Sequence, residues 1–405
     1  MNFSSKEIRS FSILTMMATC GLLGVDMHLT SMPEMMHLMS TDQTHMQSSI
    51  SIFLLGTGIS QLFYGPLSDK YGRKPIVIFG LLVAAISNLL VPVSTNVTYF
   101  LILRVFQGLG CGVCIGLGRT IAVDMVQGEK YAIATSYMSL FVSLSPLCAP
   151  AIGGYIQKWI DWQSNFIILG LIIILVLLLY VFLCEETNKN KKKNACSPVE
   201  LYQNYKKIAS NKIFAGCVVI AGMGMAITMV YATLSSFIFQ RYFNLDPTTY
   251  GWIVFITSSG GIIGKIASPI LIKKITSINT LTIGVVLLAF SGVLILATSI
   301  LRHISILELI LFTFIAILCA PFLLPFSASK ALSPFDENRG VAGALYGCFQ
   351  MLIAFAMSFI VSSINYNSIY VLGTCYVVMG FIGIAIIAFI KKEDLIKDLV
   401  DREFR

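Results

Sequence analysis

Twelve apolar runs, each long enough to cross a bilayer, alternate with short polar breaks along the chain. They fall at about 9–33, 46–66, 75–94, 98–122, 131–158 and 163–184, then at about 213–240, 248–272, 277–300, 305–328, 339–363 and 368–390. A membrane helix needs roughly 20 apolar residues, and in lipid only helices and closed barrels satisfy their own backbones. The pattern predicts an all-α integral membrane protein of twelve transmembrane helices in two pseudo-symmetric six-helix bundles. Glu185–Lys212 is the one long hydrophilic interior stretch and holds the run Asn188–Lys193. The expected division is therefore 1–184 for the first half, 185–212 for a cytoplasmic linker, 213–390 for the second half and 391–405 for a cytoplasmic tail. The first run, Phe11–Met32, is too long for a signal-peptide core and lacks a small-residue cleavage site after it, so it is read as a retained helix.

Placing the N-terminus in the cytoplasm puts 23 of the 28 Lys and Arg residues on the cytoplasmic side. Only Lys158, Arg241 and Arg302 face outward, while Arg104 and Lys265 fall inside spans. The positive-inside rule thus predicts cytoplasmic termini and an even number of spans. Composition agrees: 56% of residues are hydrophobic and 12% charged, against about 25% charged in soluble chains. The net charge of +8 is spread along the edges of apolar runs, which excludes a nucleic-acid-binding face.

The ten cysteines are scattered through apolar runs. Cys111 and Cys114 form a CxxC, but no second pair or nearby His completes a metal site, so they are read as packing residues. No metal, cofactor or enzymatic cluster is expected. A faint repeat joins the halves: Gly65-Pro66-Leu67 and its basic turn are echoed about 203 residues later by Ser268-Pro269-Ile270 and Lys273-Lys274. Transporters are commonly built from such repeats.

Between spans 2 and 3 stands Gly65-Pro66-Leu67-Ser68-Asp69-Lys70-Tyr71-Gly72-Arg73-Lys74-Pro75. It resembles the G-x-L-x-D-x-x-G-R-K signature of the major facilitator superfamily and is read as a loop. Asp69 and Arg73 are suited to a charge-assisted pair. The resemblance implies that this pair latches the two halves in one conformation, with Asp124 as the additional acid. Arg104-Val105-Phe106-Gln107-Gly108-Leu109-Gly110 in span 4 is similar to the family's R-x-x-Q-G-x-G motif. Arginine at lipid depth costs roughly 2.5–3.5 kcal/mol on insertion scales and should face protein or a cavity. Gly108, Gly112 and Gly116 make a smooth packing face. In span 5, Pro146-Leu147-Cys148-Ala149-Pro150-Ala151-Ile152-Gly153-Gly154 resembles the antiporter motif ending G-P-x-x-G-G, with Ala149 in place of its glycine.

Acids are nearly absent from the spans; Asp26, and Glu308 near an outer edge, are the exceptions. Asp26 lies 17 residues beyond Arg9, or roughly 25 Å along a helix. Desolvation there favours the neutral carboxyl and a nearby Arg104 would favour the charged one. That balance is how one carboxylate could exchange a proton for a solute. The competing reading is a permanent Asp26–Arg104 pair. His28 is read as a lining residue, Glu308 as a headgroup-zone acid, Lys265 as a minor cavity candidate, and Glu34, His37, Asp42 and His45 as a solvated outer loop.

End to end, the chain resembles the twelve-helix drug/proton antiporters, most of all the bicyclomycin and chloramphenicol resistance type. Asp26 with Leu29 and Pro33 is similar to that family's first helix, and Arg119 with Asp124 to its fourth. The resemblance implies a monomeric inner-membrane exporter of an amphiphilic small molecule, exchanging protons by alternating access. The proton gradient would drive it without a cofactor; small solute, protons and lipid would be its partners. Export or uptake of one dedicated natural compound is the alternative within transport, and a membrane sensor or enzyme a distant one. Thr30 and Ser236 stand where the family carries proline. With Gln107, Tyr231, Ser235 and Phe237 they are expected near the substrate cavity, which combines aromatic surface with a few polar groups.

Overall fold

The computed structural model describes residues 3–126, 128–188, 191, 197–301, 304–364 and 368–403. The described residues are helical, turn or loop, with no strand. Among the described residues, twelve helices are long and apolar enough to span a membrane. The first six are α1 (Ser5–Leu38), α2 (Gln43–Tyr71), α3 (Arg73–Val93), α4 (Val97–Met125), α5 (Gly128–Trp159) and α6 (Gln163–Leu183). The last six are α7 (Lys212–Tyr242), α8 (Pro247–Ile275), α9 (Ser277–Ile300), α10 (Ile306–Phe335), α11 (Gly340–Ser363) and α12 (Ser368–Glu393). Most of the Asn188–Lys193 run, together with Arg302 and Arg405, lies outside the described residues. The interior polar stretch contributes a short amphipathic linker helix, Pro198–Ala209.

Three departures from the sequence expectation matter for function. First, α2 runs through the signature that reads as a loop, and ends only at Gly72. Gly and Pro are breaking signals in water, but Pro66 removes only one backbone donor. The carbonyl it leaves free, that of Leu62, accepts the Tyr205 hydroxyl of the linker helix at 2.9 Å. Second, α1 continues past Pro33 to Leu38, after a break between Asp26 and Leu29 that is bridged by the tight turn Leu29–Ser31. Glu34, expected in a solvated loop, is helical and accepts a 2.6 Å bond from Gln157 of α5. Third, α5 is split at Ser143 into Gly128–Val142 and Leu144–Trp159.

Ends are capped as helix chemistry predicts. Asp42 accepts from the His45 amide (2.8 Å), Asn96 from Tyr99 (2.9 Å) and Asn211 from Phe214 (2.9 Å). Glu308 forms a capping box with Ser305, satisfying two otherwise orphaned donors; this is a structural role at a helix start. Asp246 caps α8, and bonds from Thr248 and Thr249 pull its carboxyl down to about 2.

Within the first bundle α2 packs on α4 and α4 on α3; within the second α7 and α8 pack on α10 and α9 on α12. The bundles meet along two lines, α2 with α11 and α5 with α8. Glycine makes these lines close. A Cβ on Gly108 or Gly112 would run into Phe53, Thr57 and Ser60 of α2, so the span-4 glycines pack as expected, whereas Gly116 has only Gln61 at 3.7 Å.

Candidate functional site

The signature residues gather at one end of the first bundle. Gly72 takes φ +112° and ψ 156°, a region open almost only to glycine, and so turns α2 into α3 within one residue. That turn presents Arg73 to three partners: Asp69 at 2.5 Å, Asp124 at 3.1 Å and the Ser68 hydroxyl at 2.5 Å. Lys74 donates to the carbonyls of Val181 and Cys184, both at 2.7 Å. It thereby neutralises the negative end of α6.

Glu186 completes the cluster, a residue that motif matching missed. Its carboxylate accepts from the backbone amides of Arg73 (2.8 Å), Lys74 (3.0 Å) and Asn188 (2.8 Å). The first two are orphan donors at the start of α3. Partial burial opposes its charge, but those amides and Lys191 prevail and hold the carboxyl below the usual glutamate range. Asn188 in turn donates to the carbonyls of Ser68 and Asp69, both 3.1 Å, at the end of α2. A glutamate three residues past a span carries no sequence signal of this; only the fold brings it to Gly72.

The ionic cluster joins α2, α3 and α4 of the same bundle, so it does not itself reach across. Contact with α11 is made beside it: Gly65 lies 3.9 Å from Ala344 for an added Cβ, Gly58 meets Met351 and Cys348, and Gly347 meets Gln61.

Asp26 is buried at 5% exposure, the last residue before the α1 break. The Ser145 hydroxyl of α5 donates to it at 3.4 Å. The fully buried Tyr250 of α8 is close enough to feel its charge. Arg104, fully buried, does not pair with it. The guanidinium donates to the carbonyls of Gly24 (2.8 Å) and Ser49 (3.1 Å) and to Gln107 (2.7 Å), and lies over the Phe53 ring at 4.7 Å. The physical reason is the break in α1. It frees carbonyls at the end of the Ser5–Asp26 segment, and a cation there is favoured by the helix dipole. The expected juxtaposition of Asp26 and Arg104 is therefore replaced by two separate arrangements, a hydroxyl-bonded acid and a carbonyl-capping base.

The antiporter-motif residues lie in the second segment of α5. Pro146 opens it, beside Ser145, and Pro150 bends it. An added Cβ on Gly153 would strike the Met27 carbonyl at the α1 break; one on Gly154 would come within 2.6 Å of the Pro247 carbonyl of α8. Reciprocally, Gly251 of α8 faces the Pro150 carbonyl at 2.7 Å. The motif is thus the close-contact surface between α5, α1 and α8.

Among the cavity candidates, Thr30, Gln107, Tyr231, Ser235 and Phe237 are all buried. Tyr231 accepts from Thr257 (2.9 Å) and Ser235 pairs with Tyr250 (2.8 Å), so these belong to one polar cluster between α7 and α8. Thr30 and Ser236, the two positions that depart from proline, share one partner. Gln240 Nε2 donates to the Thr30 carbonyl and to the Ser236 hydroxyl, each at 3.0 Å, and ties α1 to α7. His28 is buried against Phe166 and Phe100, with ring centroids at 5.7 and 6.5 Å. Cys111 and Cys114 are buried free thiols.

The Major Facilitator Superfamily model matches residues 14–358, most of the chain. The chain belongs to the Major Facilitator Superfamily. It is similar to multidrug resistance protein MdtL of Shewanella sp. (strain ANA-3), 24% identical over 372 residues and covering 91% of this chain and 92% of the relative. The bicyclomycin resistance protein homolog of Haemophilus influenzae (strain ATCC 51907 / DSM 11121 / KW20 / Rd) is 23% identical over 375 residues, covering 92% and 93%. In three dimensions, the xylose transporter XylE from E. coli, in a partially occluded inward-open conformation, superposes with a TM-score of 0.74 at 13% identity, over 96% of this chain and 98% of its own. Membership of this superfamily makes the chain a small-solute transporter and not an enzyme, and its relatives fit the bicyclomycin-type resemblance of its motifs.

Proposed function

We propose that this transporter is a proton-coupled antiporter that exports an amphiphilic small molecule across a bacterial inner membrane by alternating access. The observation that carries the reading is Asp26: a buried carboxylate with no cationic partner among the described residues, bonded to the hydroxyl just ahead of Pro146. A carboxyl so placed is expensive to charge, so its proton occupancy is bound to depend on how the site is hydrated. Its contacts lie on the elements that must move. Charge on Asp26 bears on Ser145 of α5 and on Tyr250 of α8, the two helices that meet through Gly154 and Gly251. Proton release would thus favour one packing of α5 on α8 and proton uptake the other. Arg104 supports this by holding the α1 break in place.

In this reading the Asp69–Arg73–Asp124 cluster braces the first bundle while α2 closes on α11. Both termini and the linker lie in the cytoplasm, as the Lys and Arg distribution favours. The transporter works as a monomer with no cofactor beyond the proton gradient.

The test is flux of amphiphiles of either charge in proteoliposomes under an imposed pH gradient, wild type against Asp26→Asn. Gradient dependence should vanish in the variant. If both proteins respond equally to the gradient, Asp26 is not the coupling group.

A further inference from the structure

Two cations that the coupling scheme does not use, Lys265 and Arg119, lie on α8 and α4, one in each bundle. Lys265 lies ten residues before the end of α8 at Ile275, roughly 15 Å along the helix. Its ammonium donates to the Ser143 hydroxyl of α5 at 2.5 Å, at the split in that helix. Arg119 of α4 lies within electrostatic range of both Lys265 and the Tyr346 hydroxyl of α11. Tyr346 bonds Ser327 of α10 at 3.1 Å. Gln61 sits between Gly116 of α4 and Gly347 of α11, so α4 faces α11 at this level. These contacts tie α8 to α5, α10 to α11, and α4 to α11 through Gln61 of α2.

Among the described residues, ion pairs join other partners: Asp124 and Asp69 hold Arg73, and Glu7 holds Lys130. Among those same residues, no carboxylate lies within the 4.0 Å pairing distance of Arg119 or Lys265. Both side chains nevertheless remain accessible rather than packed away. Snorkelling would carry a lysine ammonium toward the membrane surface, yet this one is turned across the bundle interface to Ser143. Two like charges brought together without a counter-charge repel, and intramembrane cations mark solute pathways. A guanidinium fork beside an ammonium and a hydroxyl suits a carboxylate, sulfonate or phosphate, which would take charge-assisted hydrogen bonds from both.

We infer that Arg119 and Lys265, with Ser143, form the entry site for the anionic head of an amphiphilic solute, whose apolar body lies against the surrounding spans. This names the substrate class and rests on the transport reading only for the steps after binding. Asp26 and this site then have opposite tasks, the acid exchanging the proton and the cations selecting the solute.

The probes are two xanthene dyes of opposite charge, carboxyfluorescein and rhodamine 6G. Their binding to the purified full-length chain in phosphatidylcholine nanodiscs is followed by fluorescence anisotropy. Carboxyfluorescein should bind at least about tenfold more tightly than rhodamine 6G, and Lys265→Gln or Arg119→Gln should each weaken it about tenfold. Lys265→Arg should restore binding to within about threefold, which also controls for misfolding. Equal affinity for both dyes, or unchanged carboxyfluorescein binding in both neutral variants, overturns the inference. So does loss of dye binding when phosphatidylglycerol is added to the nanodisc, which would assign the site to lipid headgroups. Gradient-driven flux surviving without anion preference removes this inference alone; anion binding without gradient-driven flux removes the export reading alone.

Discussion

The Tyr205 hydroxyl donates at 2.9 Å to the Leu62 carbonyl, the one that Pro66 leaves without a helical partner. An unsatisfied carbonyl at that depth costs about 1–3 kcal/mol, so the linker helix completes α2 and is not a mere tether. Tyr205→Phe should lower the melting temperature in detergent. Pro66→Ala restores the internal amide, and in that background Tyr205→Phe should cost much less. Additive effects in the double-mutant cycle would show that the two residues act independently.

Gly72 cannot carry a side chain. Gly72→Ala places a methyl against the Glu186 carboxylate and forces a conformation worth about 1–3 kcal/mol of strain. Transport should drop sharply, with solute binding retained. Binding lost in proportion to transport would point to general misfolding.

Glu186→Gln keeps the shape of the cap and removes its charge. Because the folded protein holds this carboxyl below its usual range, its contribution is full above the unfolded glutamate pKa of about 4.3 and fades as the pH falls below that. Wild type should therefore lose more stability than the variant on going from neutral pH to a pH below about 4. Parallel melting curves across that window would refute the assignment.

The sequence disclosed the body plan because lipid makes strict demands: twelve runs of the required length can be little else. It disclosed Asp69 and Arg73 because their spacing around glycine is so specific, and Asp124 through the family resemblance at the end of span 4. It misplaced the end of α2, since a Gly-Pro step reads as a break when the Tyr205 donor is still about 140 residues downstream. It also brought Asp26 and Arg104 together, because two buried charges of opposite sign invite pairing. The carbonyls of a broken helix, which Arg104 caps instead, leave no mark in residue identity. Glu186 escaped for the same reason, and Gln240 in part, since one of its two partners is the Thr30 carbonyl.

Gln240→Ala removes the tie from α7 to the Thr30 carbonyl and the Ser236 hydroxyl. The ends of α1 and α7 should separate more often, read as a broader spin-label distance distribution between positions 36 and 241, where Arg241 now touches Met36 at 3.8 Å. An unchanged distribution would mean that the tie does not restrain this gate.

Gly154→Val should arrest turnover, because its side chain must displace the Pro247 carbonyl of α8. Flux should fall by more than about tenfold while the chain still folds and binds solute. Near-normal flux would show that α5 and α8 need not approach so closely during the cycle.

The glycines of α2 differ on its two flanks. Toward α4, Gly56 brings main chain onto main chain, as near as 2.5 Å for an added carbon; toward α11, Gly58 and Gly65 meet mainly side chains, at 3.2–3.9 Å, with the Cys348 carbonyl at 3.3 Å from Gly58. The first flank is a weld and the second a bearing. When the two bundles rock, α2 must ride with α4 and glide along α11, and even one extra methyl group on the gliding side would act as a brake.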